Sequence, residues 1–247
     1  MSGHSKWSQI KRQKGATDVK RGAIFTKMTR EVMLAAKEGG GDPEANFRLR
    51  LAMDRARGVN MPLANIQRAI DRATGAAAGE TIESVLYEGY GPAGVSILVE
   101  AATDNRNRTA SEVRAAFAKH NGSLGGPGSV AWQFQSKGVV EIAAAGKDAD
   151  EVSLMAIDAG ADDVETDAGT ITVYTAPPAL RKVKDALEAA GCVVESAELT
   201  MKPTNTVKLD GDQAGKVLRL IDALEDLDDV SKVHANFDVP EEILANV

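Results

Sequence analysis

Aromatic residues are scarce in this chain, at 4% of the sequence against 43% apolar residues in all. Its cores must therefore be built mainly from Ala, Val, Leu and Ile, and several small cores suit that supply better than one thick one. Cysteine is scarcer still: the lone Cys192 excludes an internal disulfide framework and a cysteine-rich zinc site. Its position after Gly191, beside an apolar run, marks it as a core residue. No stretch approaches the roughly 18 consecutive apolar residues of a spanning helix, so no membrane partner is expected. Residues 1–15 are polar and basic, without the apolar segment of a secretion signal. The cytoplasm is the expected compartment.

Catalytic constellations are missing as well. The three histidines, His4, His120 and His234, are not accompanied by Gly-x-Ser-x-Gly, His-Glu-x-x-His or Cys-x-x-Cys. His120 reads as a helix C-terminal residue favourable to the dipole. Residues 122–129 are glycine-rich but lack the Lys-Ser/Thr and the following helix of a phosphate loop. They read as a helix-to-strand connection, with a flexible contact loop as the alternative. Asp222, Glu225, Asp226, Asp228 and Asp229 lack the spacing and glycine of a calcium loop and read as a solvated helix end. No enzyme activity, cofactor, metal or small-molecule substrate is expected. A remote alternative is an enzyme using the anion-favouring segment 105–109.

Charge is present in quantity and unevenly spread. Residues 1–75 hold 15 basic and 7 acidic residues, a net +8, while the rest of the chain holds 14 basic and 29 acidic, a net −15. Such asymmetry points to nucleic acid or a charged surface; mutual attraction of the two parts is the plainer alternative. Lys6, Lys11, Arg12 and Lys14 surround Trp7 in a segment with little else to pack, which reads as a mobile basic arm. Cations beside an aromatic ring suit phosphate contact with base stacking, and Trp7 as a packing anchor fits equally well.

Helical periodicity follows over 18–37, where Phe25, Met28, Val32, Ala35 and Ala36 share a face. Lys20, Lys27, Arg30 and Lys37 fall within an arc of roughly 100° on the opposite side, with Arg21 nearby. Asp42 and Pro43 read as N-cap and first residue of a second helix ending at Gly58. Leu49, Ala52, Met53 and Ala56 form its apolar face. A third helix from near Pro62 is expected to bury Leu63, Ile66, Ile70 and Ala73 and to expose Asn65, Arg68 and Arg72. Residues 75–79 read as a linker.

Beyond it the pattern changes. Strands are expected over 84–90 and 95–103, and Thr109-Ala-Ser-Glu112 reads as a capping box opening a helix to about His120. That places Asn105, Arg106 and Arg108 just before a positive helix end, as a candidate anion or RNA patch; a cap-and-turn role is the alternative. Val130, Trp132 and Phe134 alternate as in a strand. Residues 139–200 give strand, helix, strand, strand, helix, strand, the order of a split βαβ, ferredoxin-like unit. A last strand–helix–strand spans 205–236.

The segments Gly3-His-Ser-Lys-Trp7, Arg21-Gly-Ala-Ile-Phe-Thr-Lys27, Gly40-Gly-Asp-Pro43, Asn60-Met-Pro62, Tyr87-Glu-Gly-Tyr-Gly-Pro92 and Thr103-Asp-Asn-Arg-Asn-Arg-Thr109 closely resemble the YebC family, across essentially the whole chain. The resemblance implies an α+β protein of three domains. These would be a basic arm and helical domain over 1–78, a discontinuous α+β domain over 79–137 plus 203–247, and a ferredoxin-like domain inserted over 138–202. The family is widely labelled as transcriptional regulators, and members are also regarded as translational activators that carry ribosomes through proline runs.

The expected function is that of a non-enzymatic nucleic-acid-binding regulator of gene expression. The helices before and after residues 58–61 loosely resemble a helix-turn-helix, and Asn65, Arg68 and Arg72 are base-reading types. A DNA-binding transcriptional regulator is thus one alternative. The acidic body would resist lying along a duplex, and no coiled-coil heptads support a dimer, so a monomer docking on ribosomal RNA is preferred. The candidate contacts are Lys6, Trp7, Lys11, Arg12, Lys14, Lys20, Arg21, Lys27, Arg30, Arg68 and Arg72.

Overall fold

A computed structural model describes Trp7 and residues 18–75, 82–144, 148–167 and 169–239. The chain divides into two compact units: 134–202 form one, and the segments before and after them form the other. The expected linker over 75–79 lies outside the described residues except for Gly75.

In the larger unit the first apolar stripe folds as α1 (Asp18–Gly39). Two shorter helices, α2 (Phe47–Gly58) and α3 (Leu63–Thr74), pack chiefly on α1 and much less on each other. Val32, Ala35 and Ala36 of α1 meet Leu49, Ala52 and Ala56 of α2 and Ile66 and Ile70 of α3 in one buried cluster. The second helix starts later than Asp42-Pro43 predicts. Asn46 caps it, accepting from the Leu49 amide at 3.0 Å, while its own amide group donates to the carbonyls of Ala35 and Gly40, both at 2.8 Å. One buried side chain thus closes α1 and opens α2, which Asp42 cannot do from the far side of the turn. Leu63, expected in the core, is 63% exposed. It sits in the first turn of α3, ahead of the face formed by Ile66, Ala69 and Ile70.

An antiparallel sheet of order β3-β1-β2-β9 follows, built from β1 (Glu83–Tyr90), β2 (Ser96–Thr103), β3 (Ser123–Leu124) and β9 (Val230–Ala235). Its register pairs Val85 with Ala101 and Gly89 with Ile97, and β9 runs beside β2 with Val233 opposite Val99. On one face, Val113 and Phe117 of α4 (Arg106–Lys119) and Val217, Ile221 and Leu224 of α7 (Gly211–Glu225) pack against Ile97, Val99 and Val233. The other face meets the helical cluster, which Ala102 joins. Coverage of both faces explains why β2 is buried at nearly every position instead of alternating. The pair β8 (Val207–Lys208) and β10 (Phe237–Asp238) completes this unit.

The smaller unit runs β4 (Phe134–Ala143), α5 (Ala149–Ala159), β5 (Asp163–Asp167), β6 (Thr170–Thr175), α6 (Leu180–Ala189) and β7 (Val194–Pro203). Its strand order, β5-β6-β4-β7, is that of the split βαβ arrangement. Val140 pairs with Val173, which also pairs with Val164. Val152 and Ala156 of α5 and Leu180, Val183 and Leu187 of α6 are buried with Ile142, Ile171 and Val173 of the strands. The expected strand through Val130, Trp132 and Phe134 is not formed. Val130 lies in a loop, residues 131–133 make one 3-10 turn, and β4 begins only at Phe134. Its alternation arises because the turn throws Trp132 outward, 71% exposed, between buried neighbours.

Candidate nucleic-acid interface

Of the arm cations, Lys6, Lys11, Arg12 and Lys14 lie outside the described residues, and Lys20 and Arg21 are described only as backbone positions of α1. Trp7 is 6% exposed and belongs to the core cluster that includes Val113 and Phe117. Of the two readings of this ring, packing is the one observed: a ring buried in an apolar core is closed to a base.

Lys27, Arg30 and Lys37 of the cationic stripe of α1 are turned toward their own chain, not held clear of it. Lys27 donates to the Glu225 carbonyl, and Lys37 to the Ile82 carbonyl at 2.7 Å. Arg30 donates to the Asp228 carbonyl at 2.6 Å and pairs with the Asp229 carboxylate at 2.7 Å. The end of α7 supplies the attraction. Its last carbonyls carry the negative pole of the helix, and the acids that follow add to it. Lys27 and Arg30, expected to meet phosphate, are therefore internal anchors of α1 on the connection from α7 to β9.

Asp229 is the centre of that anchor and departs furthest from the sequence reading. It is 2% exposed, not part of a solvated acidic end. One carboxylate oxygen accepts from Thr109 at 2.5 Å, Arg108 at 2.7 Å and Thr103 at 3.0 Å, while the other faces Arg30. Burial alone would raise its pKa. The hydrogen bonds from Thr109, Arg108 and Thr103 and the charge of Arg30 outweigh that effect and hold the carboxyl below its usual range.

The same network redraws the segment 105–109. Asn105, not Thr109, caps α4, accepting from the Arg108 amide at 3.1 Å. Thr109 lies inside the helix with its hydroxyl directed to Asp229, which its capping-box spacing hides. Both arginines therefore sit within the first turn of α4 instead of ahead of it. Arg108 is held by Asp104 and Asp229, each at 2.7 Å. Arg106 is 63% exposed, with Glu83 at 3.5 Å as its carboxylate partner.

On α3, the exposed Arg68 bonds only neutral groups among the described residues, the Ala64 carbonyl at 3.2 Å and the Asn65 side chain. Arg72 is exposed in the last turn of the same helix. By contrast, the arginines of α2 face acids: Arg48 meets Glu38, Arg50 meets Glu44 at 2.6 Å and Arg55 meets Glu31 at 2.5 Å. Exposed Arg68 thus differs from the arginines of α2, while further exposed cations stand on α4 (Arg114, Lys119) and α7 (Lys216, Arg219).

No group of three or more His, Cys, Asp or Glu residues arranged to hold a metal occurs among the described residues. His120 follows α4 as its C-cap. His234, 3% exposed, bonds Glu100 at 2.8 Å inside the sheet. No helix among the described residues is long and apolar enough to cross a membrane.

Comparison with known proteins agrees with this fold. A solved structure of a conserved hypothetical protein from Aquifex aeolicus is similar with a TM-score of 0.84 and 47% identity, over 92% of this chain and 94% of that one. A relative from Rubrobacter xylanophilus, named "probable transcriptional regulatory protein", is 55% identical over 100% of this chain and 99% of its own. One of the same name from Roseiflexus castenholzii is 53% identical over 98% and 97%. Residues 5–76 match the model of the TACO1/YebC protein N-terminal domain, and residues 82–237 match that of the TACO1/YebC second and third domain. The chain belongs to the TACO1/YebC family.

Proposed function

We propose that this protein is a non-enzymatic, nucleic-acid-binding regulator of gene expression that acts at the ribosome, helping synthesis through difficult, proline-rich stretches. The observation that carries the reading is the separation of charge, with a net +8 over residues 1–75 ahead of a net −15. An acidic body is repelled by phosphate, so phosphate contact centres on one basic foot. The geometry narrows that foot further, because Lys27, Arg30 and Lys37 are engaged within the chain. What remains is the arm, the start of α1 and the outward face of α3, with Arg106 as a separate outlying cation. Contacts of this kind neutralise phosphates without reading sequence. Specificity must then come from the shape of the docking site, which a ribosome provides and a bare duplex mostly does not. A helix-turn-helix reading is weakened by α2 and α3, which pack on α1 more than on each other.

The names of the relatives favour a second reading, a transcriptional regulator on DNA. Ribosome profiling with matched transcript counts in a deletion strain separates the two. The expected result is ribosome stalling on a subset of messages, proline runs among them, with transcript levels little changed. Unchanged ribosome occupancy with shifted transcripts from directly bound promoters would establish the DNA reading instead.

A further inference from the structure

The chain has two tryptophans, and the structure treats them oppositely. Trp7 is buried, whereas Trp132 is 71% exposed. That exposure is not the looseness of an unanchored ring. The indole Nε1 of Trp132 donates to the Ser129 carbonyl at 3.2 Å, and the Tyr90 hydroxyl donates to the same oxygen at 2.9 Å. The polar tips of two exposed rings therefore converge on one backbone atom, which fixes both.

The loop bearing that atom is itself rigidly held. Glu88, 6% exposed, accepts from the amides of Gly128 at 2.6 Å and of Val130 and Ala131 at 2.8 Å each, and its own carbonyl accepts from Gly125 at 2.7 Å. Burial would raise the Glu88 pKa, and the three amides reverse this and keep the carboxylate ionised. Glycine is favoured at two points. Gly128 has φ +83°, and a Cβ at Gly125 would lie 2.5 Å from the Ser129 hydroxyl oxygen. The glycine-rich run that resembles a failed phosphate loop is a carboxylate-organised mount for two aromatic rings.

We propose that Trp132 and Tyr90 form a stacking platform for an unpaired base of a nucleic acid. The proposal rests on the nucleic-acid reading above and adds to it a site remote in sequence from the basic foot. The state of the donors selects this ligand. A proline-rich segment offers carbonyl acceptors, and both ring donors that could meet one are already bound to Ser129. A strand-adding peptide needs free backbone amides, and those of Gly125, Gly128, Val130 and Ala131 are all donated to Glu88 of β1. The ring faces are what is left, and stacking is the interaction that uses faces alone and tolerates any base.

Trp132 supplies its own probe. The full-length protein, titrated with a single-stranded 12-mer of adenylate, should lose the emission of the exposed indole, while an abasic strand of equal length should leave it unchanged. Trp132→Ala should weaken adenylate binding roughly tenfold, the loss of one stacked base. Trp132→Phe should restore most of it, with Trp7 emission reporting an intact core in both variants. If adenylate binds Trp132→Ala as tightly as the parent protein, or binds the parent without quenching, the platform is refuted while the basic foot stands. Quenching by a proline decamer and not by adenylate would make this a peptide site and overturn the proposal. If neither strand binds, the platform and the nucleic-acid reading fall together.

Discussion

Asp229 and Glu88 are both buried carboxylates of the larger unit, 2% and 6% exposed, and both are held ionised by their hydrogen bonds. Their partners differ in kind. Asp229 collects side chains from three places in the chain: Arg30 of α1, Thr103 at the end of β2, and Arg108 and Thr109 of α4. Glu88 collects backbone amides from one short loop. The first joins the helical region to the sheet, and the second shapes a single surface feature. A buried charge is costly unless every lone pair is used, so each site fails when its acceptor is removed. The reach of the failure should follow the reach of the partners.

The largest effect is expected from Asp229→Ala. It removes the buried acceptor shared by two guanidiniums and two hydroxyls, in the range of about 3–5 kcal/mol seen when one partner of a buried pair is removed. Arg30 and Arg108 retain some solvent contact, 21% and 41% by side chain, which places the loss toward the lower end. Urea unfolding of the full chain measures it, and a loss under about 1 kcal/mol would deny Asp229 its clamping role.

Acid should dissolve the same clamp more gently. The folded Asp229 carboxyl titrates below its unfolded value of about 3.9. Its stabilisation is therefore complete above that pH and is lost as pH falls through the lower, folded pKa. Glu100 acts in the same direction: burial raises its pKa, and the hydrogen bond and charge of His234, with Lys232 and Arg48, more than compensate. Unfolding free energy should be flat near neutrality and fall steeply below about pH 4. Asp229→Asn should flatten part of that fall, and an unchanged acid limb would show that other carboxylates dominate it.

Glu88→Gln should cost less, about 1–3 kcal/mol, because one amide oxygen must now serve three donors that faced two carboxylate oxygens. The change should register mainly in the loop. Trp132 emission should shift and amide exchange should rise over 125–131, while exchange in α1 stays unchanged. Protection lost equally from α1 would mean that the loop is coupled to the helical clamp and that the contrast fails.

The helices and the smaller unit were legible because their signals are local. The stripe of α1 and the strand–helix alternation after residue 139 need only periodicity, and α5 begins after Asp148, whose side chain accepts from the Asp150 amide. What stayed hidden is carried by contacts between distant residues. Asn46 looks like any polar turn residue until its amide meets the carbonyl of Ala35, eleven positions earlier. Asp229 sits in a run of acids, and nothing nearby distinguishes it from Asp228; its partners lie about 120 to 200 residues away. Trp132 mimics a strand position because a single 3-10 turn between two buried residues has the same alternation. Cationic stripes mislead in the same way, since Lys27 and Arg30 mark an outward face of an isolated helix and an inward face of the assembled one.

The smallest effect on stability, and the sharpest test of how the arginines of α4 divide, is expected from Arg106→Glu. Arg106 and Arg108 stand two residues apart in one helical turn, and charge alone would assign them the same role. Arg108 is tied into the Asp229 network, so Arg108→Glu would set a carboxylate against Asp229 and Asp104 and should destabilise the fold heavily. Arg106 has one exposed partner at 3.5 Å, a pairing worth less than about 1 kcal/mol. Arg106→Glu should leave the urea midpoint nearly unchanged. A cation that faces solvent above a helix N-terminus can still serve an anion, so the same variant should release more readily from ribosomal particles as salt is raised. Co-sedimentation across a salt series measures this. Unchanged release with an unchanged midpoint would remove Arg106 from the interface and leave the basic foot alone to carry it.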